Sequence, residues 1–510
     1  MNIPLRTRYA ILNFGTMIAF TAVTITVGLF TSPWLEHWLN QDRFGAFRVV
    51  LDCQGYLALL ELGLGGALAP LLARAFATRD ERALKQSMAA AAQAYLGVSL
   101  VTLLAGFCLT PILPRFVAGL SAVDLVDLRR AWWIGLLGLL TLSLVPFRAI
   151  IEARQRGYQV NLLLIAQSLL ITAISLPLAR AGWGITGQSL AFVIGTWVFT
   201  LSLTALVVKE RRELLGSWMT RSEPDTRRLL WSLSAATFLI NLSNRVSLMT
   251  DNLVVGSMLG AGTVTILFFT QRLPLLAQSL LLGVGSATWA PLAELHNRGE
   301  RDTFNQRLIE ISRLMALLSV AGLGPIVAYN RQFVSLWMGS SFSYGGDSIV
   351  ILAAINAFLL PQFSLWGWCF SATGQVRRVV AVSVLAALVN VVASIAMTRW
   401  LGLIGPLLGT TFAFVAVSLW MLPVLLYRVF GTSPVALARA VGGPLLGGIV
   451  YTGGLWWITQ RHQPVGRLGL AIEMSLAALG FSILCGLAIL LNKNDRTLWR
   501  LRLQTVFARG

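Results

Sequence analysis

Charge is scarce in this chain of 510 residues. Asp, Glu, Lys and Arg make up 12% of it, about half the share of an ordinary soluble protein. Acid is scarcer than base, 21 residues against 40, so the net charge is +19. Histidine occurs three times, and His37, His296 and His462 all fall between apolar runs with no ligand-like or catalytic spacing. The four cysteines, Cys53, Cys108, Cys369 and Cys485, lie inside apolar runs without metal-ligand spacing or an evident pairing, and read as small packing residues. There is no phosphate-binding loop, no zinc spacing and no nucleophile elbow. ATP-driven work by this chain alone is excluded on that basis, and no catalytic residue, metal or cofactor is expected. Long polar stretches are missing too, which leaves no soluble domain on either side of the apolar runs.

What is abundant is apolar sequence, 56% of the residues. It comes in runs of about 20, the length that carries a helix through the hydrocarbon core. The runs do not alternate with period two, so a transmembrane barrel is excluded, and helices satisfy their own backbone polar groups in lipid. The runs cover residues 9–30, 44–72, 87–109, 131–151, 158–178, 183–208, 229–258, 263–290, 311–329, 348–372, 379–398, 403–427, 437–459 and 468–491. The expected fold is an all-α integral membrane protein with about fourteen transmembrane helices. Arg6 and Arg8 precede the first run as they would in a leader peptide, but that run has full spanning length and no small-residue cleavage site, so it reads as a retained helix. Trp34, Trp38, Trp132, Trp133, Trp456 and Trp457 sit near run ends, where interfacial anchors belong.

The basic residues lie in short loops, with no basic module for nucleic acid. Alternate loops carry Arg and Lys at roughly three to one over the others. This bias, from Arg74, Arg79 and Arg82 through Lys209 and Arg228 to the tail at 492–510, places both termini in the cytoplasm.

The two halves of the chain resemble each other at an offset of about 220 residues, as transporter repeats do. Gly63-Leu64-Gly65-Gly66-Ala67 near the end of the second run matches Gly283-Val284-Gly285-Ser286-Ala287 near the end of the eighth. Each is followed by a proline, Pro70 or Pro291, then by Glu-Arg at 81–82 or 300–301. Gly184-Ile185-Thr186-Gly187 opens the sixth run and Gly402-Leu403-Ile404-Gly405 the twelfth. The organisation expected is a six-helix lobe at 1–208, a cytoplasmic linker at 209–228, a parallel second lobe at 229–428, a helix pair at 429–491 and a basic tail at 492–510. Two such lobes can rock about a central site.

A charge at the bilayer centre costs about 2.5–3.5 kcal/mol on insertion scales, so the charges inside the runs are the candidate functional residues. The second run carries Arg48 and Asp52 one turn apart, then Glu61; the seventh carries Asn241, Asn244, Arg245 and Asp251; the eighth carries Gln271 and Arg272. Arg48, Arg245 and Arg272, with Asn241, Asn244 and Gln271, suit a cavity that receives an anionic group, because the guanidinium fork matches phosphate oxygens. Asp52, Glu61 and Asp251 suit a coupling proton or ion.

The sequence resembles the polysaccharide and O-antigen flippases of the multidrug/oligosaccharidyl-lipid/polysaccharide exporter superfamily. The resemblance rests on Phe44-Gly45 opening the second run and Leu60-Glu61-Leu62-Gly63-Leu64-Gly65 closing it. It rests also on Thr250-Asp251-Asn252-Leu253-Val254-Val255-Gly256, on Thr373-Gly374-Gln375 before basic residues, and on Gly402-Leu403-Ile404-Gly405. It implies two lobes in the MATE-like arrangement, and alternating access driven by H+ or Na+. It implies as substrate an oligosaccharide on polyprenyl pyrophosphate, flipped across the bacterial inner membrane for cell-surface polysaccharide, with membrane lipids and a glycan polymerase or ligase as partners. The first run has no internal arginine, unlike the lipid II flippases of that superfamily, and no acidic residue between Thr16 and Val27, unlike many of its drug exporters. A cation-coupled small-molecule exporter of the same fold is the alternative; a membrane glycan polymerase or ligase is a more distant one, since no outer loop is large enough for its chemistry.

Overall fold

A computed structural model of the chain describes residues 5–61, 63–218, 220, 222–462 and 464–491; the tail at 492–510 and Arg221 of the linker lie outside them. Among the described residues the chain is all-helical. The first ten α-helices are α1 (Leu5–Leu39), α2 (Gln41–Ala58), α3 (Leu64–Thr78), α4 (Glu81–Leu109), α5 (Ala122–Leu139), α6 (Val145–Ala153), α7 (Gly157–Arg180), α8 (Gly184–Glu210), α9 (Pro224–Met258) and α10 (Ala261–Thr270). They continue with α11 (Arg272–Ser286), α12 (Trp289–Asn297), α13 (Arg301–Met338), α14 (Asp347–Ala372), α15 (Arg377–Leu401), α16 (Gly405–Ala413), α17 (Leu419–Phe430), α18 (Pro434–Thr459) and α19 (Gly466–Leu491).

Eleven helical segments among the described residues are long and apolar enough to cross a membrane, or twelve when the bent pair Gln41–Glu61 and Leu64–Thr78, at 46°, is taken as one span. The expected count of about fourteen is therefore approximate. Two places account for the difference. Residues Arg377–Phe430 form one 54-residue segment that folds back on itself at Gly402, and α9 is 35 residues long but carries too many polar residues to count as apolar.

The helices form two compact units, Met1–Ile266 with Ser383–Gly409, and Leu267–Val382 with Thr410–Gly510. In the first, α3, α4, α6 and α8 bury Leu68, Leu72, Met88, Tyr95, Phe147, Ile150 and Leu203 against one another. The small residues Ala89–Ala92 on α4 are all buried, and small side chains let helices approach closely where lipid offers no hydrophobic drive. Large apolar residues face outward from the same helices, among them Leu100, Leu104 and Phe107 on α4, each more than half exposed. Such a surface is stable only against lipid.

Two helical hairpins carry the glycine motifs. Gly182 and Gly184 turn α7 into α8 with positive φ, and Gly402 turns α15 into α16 with φ of 62°, a conformation open mainly to glycine. Beyond the second turn, a Cβ on Gly405 would lie 2.3 Å from the Thr398 nitrogen, and one on Gly409 would lie 2.5 Å from the Ser394 nitrogen. The two arms thus touch backbone to backbone, and Ser394 Oγ donates to Pro406 O at 3.2 Å. Asp127 of α5 fixes the start of α8, accepting from the Ile185 N–H at 2.6 Å and the Thr186 N–H at 3.1 Å.

In the second unit the 38-residue α13 packs against α11, α14, α18 and α19. A Cβ on Gly448 of α18 would meet Val320 of α13 at 2.5 Å. Tyr451 of α18 donates to Ala477 O of α19 at 2.6 Å and packs its ring on Phe481. The last helix pair is thereby locked together and onto α13.

The eighth run is not continuous. It breaks at Gln271 into α10 and α11, because Pro274 has no N–H to give the Thr270 carbonyl four residues earlier and its ring crowds that oxygen. Fully buried Asn330 of α13 fills the lost bond, its Nδ2 donating to Thr270 O at 2.9 Å. The Thr270 hydroxyl accepts from the Gly345 N–H at 3.0 Å.

Candidate functional site

Asp52 lies three full turns into α2, about 16 Å along the helix from its start, and is 7% exposed. A carboxylate there is stable only with partners. One is Asn252 of α9, whose Nδ2 donates to Asp52 Oδ2 at 2.8 Å. One turn beyond Asp52, the Tyr56 hydroxyl is 2.7 Å from Thr250 Oγ1 on α9. The next residue on α9 is Asp251, within electrostatic reach of Asp52 and of Tyr56. Its Oδ1 is cut off from solvent and meets no hydrogen-bond donor. The Asn252 Oδ1 is likewise buried without a donor. Helices α2 and α9 thus share a small polar centre.

Arg48 stands one turn from Asp52 on the same face of α2. Asn241, Asn244 and Arg245 lie on α9, with side chains outside the described residues. Buried Gln271 occupies the break after α10, and Arg272 is the first residue of α11. The Arg272 guanidinium lies 5.2 Å from the centroid of the Phe268 ring, within cation–π range. Both residues belong to the second unit.

Glu61 stands apart from the Asp52–Asp251 centre. It closes the 3-10 turn Leu59–Glu61 before the bend of the second span, and its Oε1 accepts from the Tyr95 hydroxyl at 2.8 Å and the Gly65 N–H at 3.1 Å. Gly63, at the bend, has φ of 70°. The carboxylate therefore satisfies a first-turn donor of α3. Among the described residues no group of three or more His, Cys, Asp or Glu is placed to hold a metal ion.

The last helix pair forms a second feature, at residues not among the candidates named from the sequence. A cavity of about 770 Å³ opens between α13, α18 and α19, lined by Leu317, Val450, Phe481, Leu484 and a stripe of small residues on α18 that includes Gly443 and Gly447. Arg313 and Arg439 line it as well, on the early turns of α13 and α18. The signal in the sequence is the four-residue spacing of Ile309, Arg313 and Leu317, which puts the arginine on an otherwise apolar helix face.

At the loop ends of the first unit, Arg154 and Arg156 bond Glu210, and Arg211 bonds Glu81 at 2.7 Å. The linker is tied to α4 as well: Gln93 donates to Thr220 O at 2.7 Å, and the Glu223 N–H donates to Gln86 at 2.8 Å.

Many apolar helices, two units, glycine-closed hairpins and polar groups confined to a few positions define a multi-pass all-α membrane protein. The fold is similar to that of a lipid II flippase, MurJ, in an inward closed conformation: TM-score 0.67 at 15% identity, covering 91% of this chain and 98% of that one. It is also similar to an inward-facing multidrug resistance MATE family transporter of the MOP superfamily, with TM-score 0.58 at 14% identity over 88% of this chain and 98% of that one. A MOP superfamily transporter from Pyrococcus furiosus gives TM-score 0.52 at 14% identity, over 88% and 94%. The sequence matches no known protein-family profile and no curated protein.

Proposed function

We propose that this chain is a flippase for a lipid-linked oligosaccharide. It takes a polyprenyl-pyrophosphate glycan across the bacterial inner membrane by alternating access of lobes 1–208 and 229–428, driven by an ion gradient. The observation that carries this reading is the cavity between α13, α18 and α19, apolar for most of its lining and bearing Arg313 and Arg439. An isoprenoid or acyl chain fits an apolar groove of this size, while a diffusing hydrophilic substrate has no use for one. Arginine gives a pyrophosphate two parallel hydrogen bonds. We assign Arg48, Arg245 and Arg272 to the pyrophosphate as well, with Asn241, Asn244 and Gln271 as neutral donors. The similarity to a lipid II flippase over nearly all of both chains supports the same reading.

A cation-coupled small-molecule exporter is the second reading, favoured by the similarity to multidrug resistance MATE transporters. Reconstitution separates the two. Vesicles carrying the protein and a labelled lipid-linked oligosaccharide should show the head group appearing in the opposite leaflet under an imposed gradient. Transport of a cationic dye with no movement of the head group would overturn the flippase reading. Arg272→Ala and Arg245→Ala should each abolish flipping at unchanged membrane expression.

A further inference from the structure

We propose that His462 and Glu473 form a clasp, tightened by acid, that closes one end of the cavity between α13, α18 and α19. Its purpose, holding the chain of a bound lipid in that cavity, rests on the flippase reading; the clasp itself does not.

Glu473 is a carboxylate in an apolar helix, about 10 Å into α19 from Gly466, and an ionisable residue in such a place marks a task. It shares a face of α19 with Ala477, Phe481 and Cys485, each one turn further on. Phe481 and Cys485 line the cavity. Ala477 O accepts from the Tyr451 hydroxyl at 2.6 Å, and the Tyr451 ring packs on Phe481, so the cavity ends at this level. One turn beyond, the chain between α18 and α19 folds back, and His462 Nε2 lies 3.1 Å from Glu473 Oε1. The Glu473 side chain is 25% exposed and the His462 side chain 65%. One partner is sheltered, and the other exchanges protons with water. On α13, Tyr329 is buried against Leu470 and Met474, on either side of Glu473. The clasp therefore sits where α18, α19 and α13 meet.

Two ties thus close this end, and they differ in chemistry. The Tyr451 bond runs to a backbone carbonyl and is indifferent to pH near neutrality. Histidine changes charge between about pH 5 and pH 8. A protonated imidazole makes a charge-assisted bond to the carboxylate, about twice as strong as a neutral one. Protonation and closure therefore favour each other, so the clasp is tightest at the acid end of that range and loosens as pH rises. The other charged or titratable groups at this end are four. The Arg461 guanidinium lies over the Trp457 ring at 3.6 Å, Arg467 Nε donates to Leu336 O at 3.2 Å, Arg331 is exposed on α13, and Tyr329 faces the same carboxylate. With both termini in the cytoplasm, as the arginine bias expects, the clasp responds to the pH outside, and Arg313 and Arg439 stand at the opposite end of the cavity.

The test is the distance between spin labels at Ser348→Cys and Val465→Cys, both exposed positions, in full-length protein with its four native cysteines replaced by serine, in nanodiscs without substrate. Between about pH 5.5 and about pH 8 a second, longer distance should gain on the shorter one by about two- to fivefold, the range of a half-exposed ion pair. His462→Gln and Glu473→Gln should each show the longer distance at both pH values. His462→Lys, charged throughout, should show the shorter one at both. A check without labels is thermal unfolding: His462→Gln should lower the unfolding temperature more at the acid pH than at the alkaline one. The same distances at both pH values, a pH response that survives His462→Gln, or a loss of stability in His462→Gln that does not change with pH each overturns the proposal. A clasp that opens as expected in a protein that flips no lipid-linked glycan would remove the flippase reading and leave the clasp standing.

Discussion

Asn330 donates through Nδ2 to the carbonyl oxygen of Thr270 at 2.9 Å, replacing the bond that Pro274 cannot make. The break at Gln271, and with it the position of Arg272, depends on this substitution of a side-chain donor for a backbone one.

Asn330→Ala should therefore leave the Thr270 carbonyl buried and unpaired, lowering stability by about 1–3 kcal/mol. Pro274→Ala returns the N–H, so the double variant Pro274→Ala with Asn330→Ala should recover most of the loss. Thermal unfolding of the four proteins in one detergent is the measurement. Strict additivity of the two changes would show that the residues are not coupled.

Glu61 has a structural task by its bonds to Tyr95 and Gly65. Glu61→Ala strips an acceptor from the start of α3, with an expected loss of about 1–2 kcal/mol. Glu61→Gln keeps a carbonyl that can accept from both donors and should lose less. Tyr95→Phe should resemble Glu61→Ala in direction. Transport driven by a fixed gradient should survive Glu61→Gln; an inactive yet well-folded Glu61→Gln protein would return Glu61 to the coupling residues.

The α15–α16 hairpin admits no side chain at its contacts. Gly405→Ala and Gly409→Ala each place a Cβ within 2.6 Å of partner backbone atoms, and overpacking of this kind costs typically about 1–3 kcal/mol. Gly322→Ala on α13 is the control, since open space surrounds that position and alanine is the better helix former. A lowered unfolding temperature for the first two and an unchanged or raised one for the third is expected. Equal tolerance at all three would mean that the arms do not touch.

Much of the fold was open to reading in the sequence because a bilayer demands long apolar helices, and runs such as 158–178 have almost no other use. The turns at Gly184 and Gly402 were visible for the same kind of reason, since a tight helical hairpin needs positive φ and bare backbone. The break at Gln271 was less visible. Pro274 announces a disturbance, but whether a helix bends or breaks there depends on Asn330, sixty residues later in the chain. The polar centre follows the same logic. Asp52 and Asp251 stood out singly as charges in apolar runs, while their meeting depends on the register of α2 against α9, which no local pattern encodes. Arg313 and Arg439 stand just inside the starts of the runs 311–329 and 437–459, where an arginine reads as an interfacial charge, and only the packing of α13 against α18 and α19 brings both to one cavity.

The arginines of the cavity give the sharpest test of how a lipid-linked substrate is held. If Arg313 and Arg439 bind an anionic head while the apolar lining takes the chain, then Arg313→Ala and Arg439→Ala should raise the substrate concentration needed for half-maximal flipping, with each lost charge-assisted contact removing about 1.5–3 kcal/mol, roughly tenfold or more in affinity. Lysine at either position keeps the charge but not the two-pronged geometry, so partial rescue is expected. Gly447→Leu, which puts bulk into the cavity where open space surrounds the glycine, should hinder the chain and not the head group. A water-soluble glycan pyrophosphate without a lipid tail should then compete for binding equally well in Gly447→Leu and the unaltered protein, while the full lipid-linked substrate distinguishes them. Identical behaviour of the two substrates in both proteins would place the tail in the surrounding bilayer and leave the cavity with no part in flipping.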